Sequence, residues 1–158
     1  YILDGGSADI GLESTIIGFD NDQLTVFRLG GMALEQIEAV VGPVSVRTHS
    51  TSNPAAPGML SSHYAPRKPL ILLAPGESPK SAERVGALAL REPFFGIATD
   101  HQRVLSPTGD LNEAAKNPFA HLRMTDSLPI DTIYAEQVPN RELGGAINDR
   151  LRRASVSV

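Results

Sequence analysis

The stretch DTIYAEQVPNRELGGAINDRLRRA, residues 131–154, decides the fold class because a strand pattern is followed directly by a helix pattern. DTIYAEQV is typical of a strand. In ELGGAINDRLRRA, Leu143, Ile147 and Leu151 recur at helical spacing and are expected to face inward. A strand followed by a helix is the repeating unit of α/β folds.

The same alternation extends back to residue 69. PLILL at 69–73 and FFGIAT at 94–99 predict strands, and residues 80–90 predict a helix between them. The predicted helix carries its apolar residues on one face: Ala82, Val85, Leu88 and Ala89.

A further helix is predicted to begin at Asp110, which together with Glu113 resembles a capping box. It is expected to break or kink at Asn117-Pro118 and to resume through Leu122. Strands that alternate with helices of this length imply βαβ units and a parallel sheet. We therefore predict a Rossmann-like, three-layer α/β domain over residues 69–158. The dinucleotide-binding pattern G-x-G-x-x-G is absent from the sequence.

Composition excludes several classes of function. The chain has 158 residues, 41% of them hydrophobic, and a net charge of -4. It has no cysteine, so disulfides and thiolate chemistry are excluded. Its charge pattern offers no broad basic face for nucleic acid, and no apolar run approaches the length of a membrane span. The segment 1–6 has no basic region typical of a signal peptide, so the expected location is cytoplasmic.

Residues 1–42 form a first segment with two or three strands and one helix. YILDGG, ESTIIGF at 13–19 and LTVFRLG at 24–30 predict strands, and Asp20 to Gln23 predicts a hairpin loop. ALEQIEAVVG predicts a short helix that ends at Gly42, with an apolar face made by Leu34, Ile37, Val40 and Val41. So few elements bury too little surface to fold alone. We therefore expect the chain to begin partway through a domain.

Residues 43–68 are predicted to be a proline-rich linker. No Asp or Glu occurs between Ala39 and Gly76, and half of the chain's twelve prolines lie there. The basic and imidazole side chains in this window are Arg47, His49, His63, Arg67 and Lys68. A stiff, acid-free segment of this kind suits a small anion such as a nucleotide phosphate.

Arg28 is the one cation among the acidic residues 1–42 and is a candidate phosphate or carboxylate ligand. The alternative is an exposed strand arginine that pairs with a neighbouring acid. A hairpin loop at Asp20 to Gln23 places Thr15 opposite Arg28, and a bulge would place Ser14 there instead. Either hydroxyl could help to form a polar pocket, although hydroxyl residues are also common in strands.

Tyr64 could stack on a base or donate to a phosphate, or it could simply anchor the linker to a domain. Histidines 49, 63, 101 and 121 show no metal-ligand spacing. Arg150, Arg152 and Arg153 are interpreted as a basic patch at the end of the last helix, where cations favour the helix dipole. Gly144-Gly145 indicates close packing or a small anion near the start of that helix.

Several motifs occur in a characteristic order. They are DGG at 4–6, GLESTII at 11–17, FRLGGM at 27–32, PGMLSSHYAPRKPL at 57–70 and LGGAINDRLRRAS at 143–155. Together they resemble the two-domain L-threonylcarbamoyladenylate synthases, which have a YrdC-like catalytic domain, a linker and a Rossmann-like C-terminal domain. The resemblance implies that residues 1–42 are the C-terminal part of the YrdC-like domain and that 43–68 are the linker. Leu29 departs from the proline usual in the family, and Pro118 stands where a helix former is usual.

The resemblance implies a nucleotidyltransferase that joins L-threonine, bicarbonate and ATP into threonylcarbamoyl-AMP and pyrophosphate for tRNA modification. It implies that Ser14 contacts threonine and that Arg28 and Tyr64 bind ATP. Mg²⁺ is expected to enter with ATP, and no tightly bound cofactor is expected. The enzymes that transfer the threonylcarbamoyl group to tRNA are possible partners, whereas direct contacts with nucleic acid or membrane are not expected.

The family's N-terminal motifs, a lysine-arginine pair and a stretch with serine and asparagine, are missing from residues 1–158. We therefore expect this chain alone not to synthesise the product. Two alternatives stay open at this point. One is a non-catalytic module that senses a nucleotide or docks a partner. The other is a YrdC-like protein of another carbamoyl-adenylate pathway, such as hydrogenase maturation, against which the linker and the Rossmann-like part argue.

Overall fold

A computed structural model of the chain describes residues 1–6, 8–48, 64–79 and 84–155. His49, His63 and Ala82 therefore lie outside the described residues. The strands are β1 (Ile16–Asp20), β2 (Gln23–Arg28), β3 (Ser45–Val46), β4 (Leu70–Leu73), β5 (Val85–Ala89), β6 (Gln102–Val104) and β7 (Thr132–Glu136). The helices are α1 (Leu34–Val41), α2 (Leu111–Lys116), α3 (Pro118–Asp126) and α4 (Gly144–Ala154), with a 3₁₀ turn at Thr99–His101.

The four strands β4 to β7 form a parallel sheet in the order β4-β7-β5-β6. Helices α2, α3 and α4 pack on one face of this sheet, around Leu88 and Ile133. The opposite face carries Ala87 and Tyr134, and the described residues that cover it include Phe94 and Ile97. The predicted α/β fold with a parallel sheet is confirmed. The layer opposite the helices is, among the described residues, an irregular segment.

Two predicted elements of this domain are wrong. Residues Val85–Ala89 form a strand, not part of a helix over 80–90. All five are buried because β5 lies between β7 and β6 with both faces covered. A short continuous apolar run of this kind fits a buried strand as well as a helix. FFGIAT at 94–99 is not a strand but an irregular stretch, and β6 begins later, at Gln102.

The helix after Asp110 agrees with its prediction in most respects. The Asp110 carboxylate caps α2 by accepting from the backbone N–H of Asn112 at 2.7 Å. Glu113 does not complete a capping box, because its carboxylate accepts from the Ser106 hydroxyl. The predicted break at Asn117-Pro118 separates α2 from α3.

Strands β1 to β3 form a second sheet in the order β1-β2-β3. The hairpin turn consists of Asn21 and Asp22, both with positive φ, as a two-residue type I′ turn requires. A bulge between Ile16 and Ile17 places Ile16 opposite Arg28, so neither Thr15 nor Ser14 occupies the predicted pairing position.

Other predictions for the first segment have mixed outcomes. YILDGG forms no strand; these six residues are exposed. In α1, Ile37 is buried as predicted, but Val40 is 83% and Val41 50% exposed, so the predicted apolar face is only partly covered by the described residues. Gly42 ends the helix with φ 80°, as predicted.

The first segment packs directly on the parallel-sheet domain. Leu12 and Ala33 belong to the same buried cluster as Leu111 and Ala146. The division into 1–42, 43–68 and 69–158 stays a prediction. The shared core places residues 12–14 close to α4, which matters for the site below. Among the described residues, no helix is long and apolar enough to cross a membrane.

Candidate functional site

Arg28, at the end of β2, holds the segment that precedes β1. Its Nε donates to the Ser14 carbonyl oxygen at 2.9 Å and its Nη2 donates to Ser14 Oγ at 3.0 Å. The predicted hydroxyl beside the guanidinium is thus present, and it belongs to Ser14. Thr15 has a different task, because its hydroxyl donates to Met32 O and accepts from Met32 N. Within the described residues Arg28 forms no ion pair, which does not favour the alternative of an arginine paired with an acid.

Gly30, in the FRLGGM motif, lies against the backbone of the GLESTII motif. A Cβ atom at Gly30 would lie within 3 Å of backbone atoms of Glu13, Ser14 and Thr15. The next residue, Gly31, donates its N–H to Glu13 O at 2.9 Å. Two motifs that are separate in sequence are therefore one contiguous unit in space, and only glycine leaves room for it.

Tyr64, near the C-terminal end of the predicted linker, also contacts this unit. Its hydroxyl donates to Glu13 Oε1, and its ring centroid lies 4.8 Å from that of Phe119. The backbone of Tyr64 has φ 67°, a conformation that costs a bulky residue free energy and persists only where surrounding contacts impose it. Tyr64 thus anchors its own segment and binds Glu13, the residue that precedes Ser14.

Arg150 of α4 binds the other oxygen of the same carboxylate. Its Nε and Nη2 donate to Glu13 Oε2 at 3.0 and 2.8 Å, and Nη2 also donates to Leu29 O at 2.8 Å. Its guanidinium carbon lies 5.6 Å from the centroid of the Tyr64 ring. The sequence analysis did not identify Glu13 or Arg150 as site residues.

The predicted basic patch on α4 is wrong for two of its three members. Arg150 and Arg153 have side chains that are 1% exposed, and both pair with Asp149; Arg152 alone of the three is exposed. The signal was present in the sequence, because position 150 lies seven residues after Leu143 and three after Ile147. That spacing places it on the inward face of the helix.

These contacts set the charge of the site. Burial raises the pKa of Glu13, but the hydrogen bonds from Tyr64 and Arg150 outweigh burial and leave the pKa below its usual value. Burial, followed by the hydrogen bond to Glu13, raises the pKa of Tyr64. At neutral pH Glu13 is therefore a carboxylate and Tyr64 a neutral phenol that donates.

A hollow of about 400 Å³ opens beside Ser14. It is bounded by Glu13, Ser14 and Thr15 on one side and by apolar residues on the other: Ile10, Leu12, Ile17, Met32 and Ile37. This volume lies in the range of pockets for small molecules. Within the part of the chain that the structure describes, no three His, Asp or Glu residues are grouped to hold a metal ion.

The chain as a whole can now be compared with known families. Residues 32–156 match the family model described as threonylcarbamoyl-AMP synthase, C-terminal domain. The chain belongs to this family. Pro118 and Leu29 therefore depart from the usual motifs without removing the chain from the family.

Named relatives agree with the threonylcarbamoyl-AMP synthase family. The chain is 33% identical over 166 residues to threonylcarbamoyl-AMP synthase of Bacillus subtilis, covering 98% of this chain and 48% of that protein. The enzyme of the same name from Pyrococcus abyssi is 34% identical over 168 residues, with the same two coverages. The chain thus spans about half the length of the curated relatives it matches.

Two solved structures share the fold. The crystal structure of P. abyssi Sua5 complexed with L-threonine has a TM-score of 0.79 and 31% identity, covering 96% of this chain and 48% of that one. The second is a P. abyssi Sua5 variant in which a His and the following Tyr are both changed to alanine. It has a TM-score of 0.80 and 30% identity, covering 96% of this chain and 47% of that one.

Proposed function

We propose that this chain forms part of a threonylcarbamoyl-AMP synthase, which makes threonylcarbamoyl-AMP and pyrophosphate from L-threonine, bicarbonate and ATP for tRNA modification. The observation that supports this most is that Arg28 binds Ser14 while Tyr64 binds Glu13, the residue before Ser14, so that three segments of the chain form one hydrogen-bonded unit. These are the residues to which the family resemblance assigns substrate contacts. Membership of the family and a fold shared with a threonine complex add support.

Ser14 is proposed to contact threonine. Its hydroxyl accepts from Arg28, so its own proton is left to donate to a ligand. Ser14 is exposed and borders the hollow of about 400 Å³, whose apolar side suits the threonine methyl group. The polar groups of threonine would then face Ser14.

Arg28 is proposed to bind an ATP phosphate. Its Nε and Nη2 are occupied by Ser14, and within the described residues Nη1 makes no hydrogen bond. A guanidinium that is fixed on one edge and open on the other can bind an anion without losing further side-chain freedom. The same arginine thereby links the proposed threonine position to the proposed phosphate position.

Tyr64 is proposed as a second residue that contacts ATP. A phenol has one proton, and in this structure Glu13 accepts it. Contact with a phosphate therefore requires the hydroxyl to exchange Glu13 for a phosphate oxygen, while Arg150 continues to neutralise Glu13. The sequence has a single His-Tyr pair, at positions 63–64, and a pair of that kind was replaced in the second P. abyssi structure.

The chemistry that such a site supports is mainly positioning and charge neutralisation. The threonine amine combines with bicarbonate to form a carbamate and water, a carbamate oxygen attacks the α-phosphate, and pyrophosphate leaves. Arg28 would offset negative charge that develops on the phosphates, and Ser14 would hold threonine in line. Mg²⁺ is proposed to enter bound to ATP, as in other phosphoryl and nucleotidyl transfers.

Pyrophosphate release tests the proposal, measured on the protein as the cell makes it with ATP, bicarbonate and L-threonine. Ser14→Ala should raise the KM for threonine, and Arg28→Ala and Tyr64→Phe should raise the KM for ATP. Loss of one charged contact predicts an effect of about tenfold or more for Arg28→Ala. Arg47→Ala is the matched control, because Arg47 pairs with Asp20 beside the hairpin turn of the same sheet.

The outcomes separate the candidate functions. Threonine-dependent pyrophosphate release that falls in the three site variants and not in Arg47→Ala supports the synthase. ATP binding without threonine-dependent release would favour a nucleotide-sensing module instead. Release that is unchanged in all three site variants would refute the assignment of the site.

A further inference from the structure

Helix α4 carries two arginines whose charges are fully removed from solvent. The side chains of Arg150 and Arg153 are each 1% exposed and that of Asp149 is 2% exposed. Burying a charge is costly unless every donor finds a good acceptor. Their acceptors therefore show what this buried cluster holds in place.

Arg150 binds the sequence neighbours of two of the three residues that are proposed to bind substrate. Glu13, which takes two of its N–H groups, immediately precedes Ser14. Leu29, whose carbonyl oxygen takes a third contact at 2.8 Å, immediately follows Arg28. The single planar guanidinium of Arg150 thus bridges the GLESTII and FRLGGM motifs. Arg28, which belongs to FRLGGM, bridges the same two motifs through Ser14.

Asp149 and Arg153 fix Arg150 in turn. Asp149 Oδ2 accepts from Arg150 Nη1 at 2.8 Å, and Asp149 Oδ1 accepts from Arg153 Nη2 at 3.3 Å. Arg153 Nη2 also donates to Thr48 O at 2.9 Å. The cluster of Asp149, Arg150 and Arg153 therefore contacts three separate parts of the chain outside its own domain: residues 13, 29 and 48.

We propose that Arg150 is a positioning residue for synthesis. Through Glu13 and Leu29 it sets the spacing of Ser14 and Arg28, and so gives the C-terminal domain a direct part in binding threonine. This inference rests on the proposed function, because it concerns the same substrate site. In this proposal α4 takes part in ligand binding, whereas the sequence indicated only a basic patch at its end.

A role in stability alone does not account for this arrangement. Buried ion pairs contribute little net stability, and apolar residues of similar volume often do as well. Packing alone also does not require Arg150 to bind Glu13 and Leu29, which are the sequence neighbours of residues proposed to bind ligands. Lysine could not replace it, because an ammonium lacks the rigid fork that satisfies Glu13, Leu29 and Asp149 together.

The test compares Glu13→Gln, Arg150→Lys and Arg150→Met in the protein as the cell makes it, with Arg152→Met as the matched control on the exposed side of α4. Calorimetry measures the Kd for L-threonine, steady-state kinetics separate KM from kcat, and thermal unfolding reports stability. We expect the Kd for threonine to rise about tenfold or more in Glu13→Gln and Arg150→Lys. The effect should fall mainly on the KM for threonine, and Arg152→Met should match wild type.

A double variant, Glu13→Gln with Arg150→Met, supplies the readout that a purely structural role would not move. If the two residues act on threonine as one unit, the double variant binds threonine no more weakly than the worse single variant. Additive losses of affinity would overturn the proposal.

Two other results are decisive. If Arg150→Met does not fold, Glu13→Gln tests the proposal, because glutamine has the shape of glutamate and Arg150 is unchanged. Wild-type affinity for threonine in Glu13→Gln would overturn the inference. Wild-type protein that neither binds threonine nor releases pyrophosphate would instead remove the proposed function itself.

Discussion

Replacing Gly30 by alanine is a small change that tests whether the two motifs form one unit. An added Cβ would lie 2.5 Å from the backbone nitrogen of Thr15 and closer still to backbone atoms of Glu13 and Ser14. Ordinary contacts between such atoms begin at about 3.5 Å, so the backbone before β1 must retreat by about 1 Å. Overpacking of this kind costs about 1–3 kcal/mol of stability.

We expect Gly30→Ala to lose more activity and threonine affinity than its loss of stability alone would cause. Ser14 and Arg28 would separate, and a misplacement of about 1 Å can cost about a hundredfold in rate. The assays are thermal unfolding, calorimetric titration with L-threonine, and threonine-dependent pyrophosphate release. Gly145→Ala is the control, because its Cβ would meet nothing nearer than 3.5 Å and Gly145 does not border the hollow beside Ser14.

We expect Gly145→Ala to retain most of its activity and threonine affinity, and Gly30→Ala to lose both. If the two variants behave alike, or if Gly30→Ala binds threonine as wild type does, the close packing of the two motifs does not determine the site. The reasoning that links Ser14 to Arg28 would then be refuted.

Two further predictions concern the Glu13 carboxylate and helix α4. Tyr64→Phe removes a hydrogen bond that lowers the pKa of Glu13, so this pKa should rise, as side-chain NMR titration can show. Because the folded pKa is depressed below 4.5, its stabilising contribution is present above pH 4.5 and is lost as the pH falls through the folded value. Urea unfolding should therefore show a cost of about 1 kcal/mol at pH 7 that shrinks on acidification; a cost independent of pH would contradict the assignment. Gly144→Ala should destabilise the protein, because its Cβ would collide with the carbonyl oxygen of Pro139, whereas Gly145→Ala meets nothing nearer than 3.5 Å and should be neutral or stabilising in thermal unfolding.

The sequence predicted those elements that depend on the backbone preferences of a few adjacent residues. The hairpin loop predicted at Asp20 to Gln23, which the structure narrows to a two-residue turn, the C-cap at Gly42 and the break at Asn117-Pro118 each follow from the backbone preferences of the residues that form them. The inward face of α4 followed from its apolar spacing. Gly144 was interpreted as a sign of close packing or a small anion, and the structure supports close packing.

The predictions that failed depended on what lies far away in sequence. VGALA at 85–89 is a strand because it lies between two neighbouring strands and both of its faces are covered. The residues near it in sequence do not reveal these neighbours. The register of β1 shifted because of a bulge at Ile16 and Ile17, which places Ser14 beside the Arg28 side chain without pairing their backbones.

Arg150 shows the same limit within the site. Its position on the inward face was readable, but its partner Glu13 lies 137 residues away. Arginine is almost never fully buried unless it is paired, so an arginine whose further acidic partner is distant in the sequence is normally interpreted as a surface residue. Ser14, Arg28 and Tyr64 were candidates from the residues themselves and received their roles from motif resemblance. Those roles stay proposals, while the Glu13 carboxylate that binds Tyr64 and Arg150 emerged only from the structure.

A crystal structure of the protein as the cell makes it, bound to L-threonine and ATP, tests the central claim most directly. Our account predicts threonine within about 3 Å of Ser14 Oγ, with ATP phosphate oxygens at similar distances from Arg28 and the Tyr64 hydroxyl. Threonine bound away from Ser14, with Tyr64 still on Glu13 and no phosphate near Arg28, would contradict it.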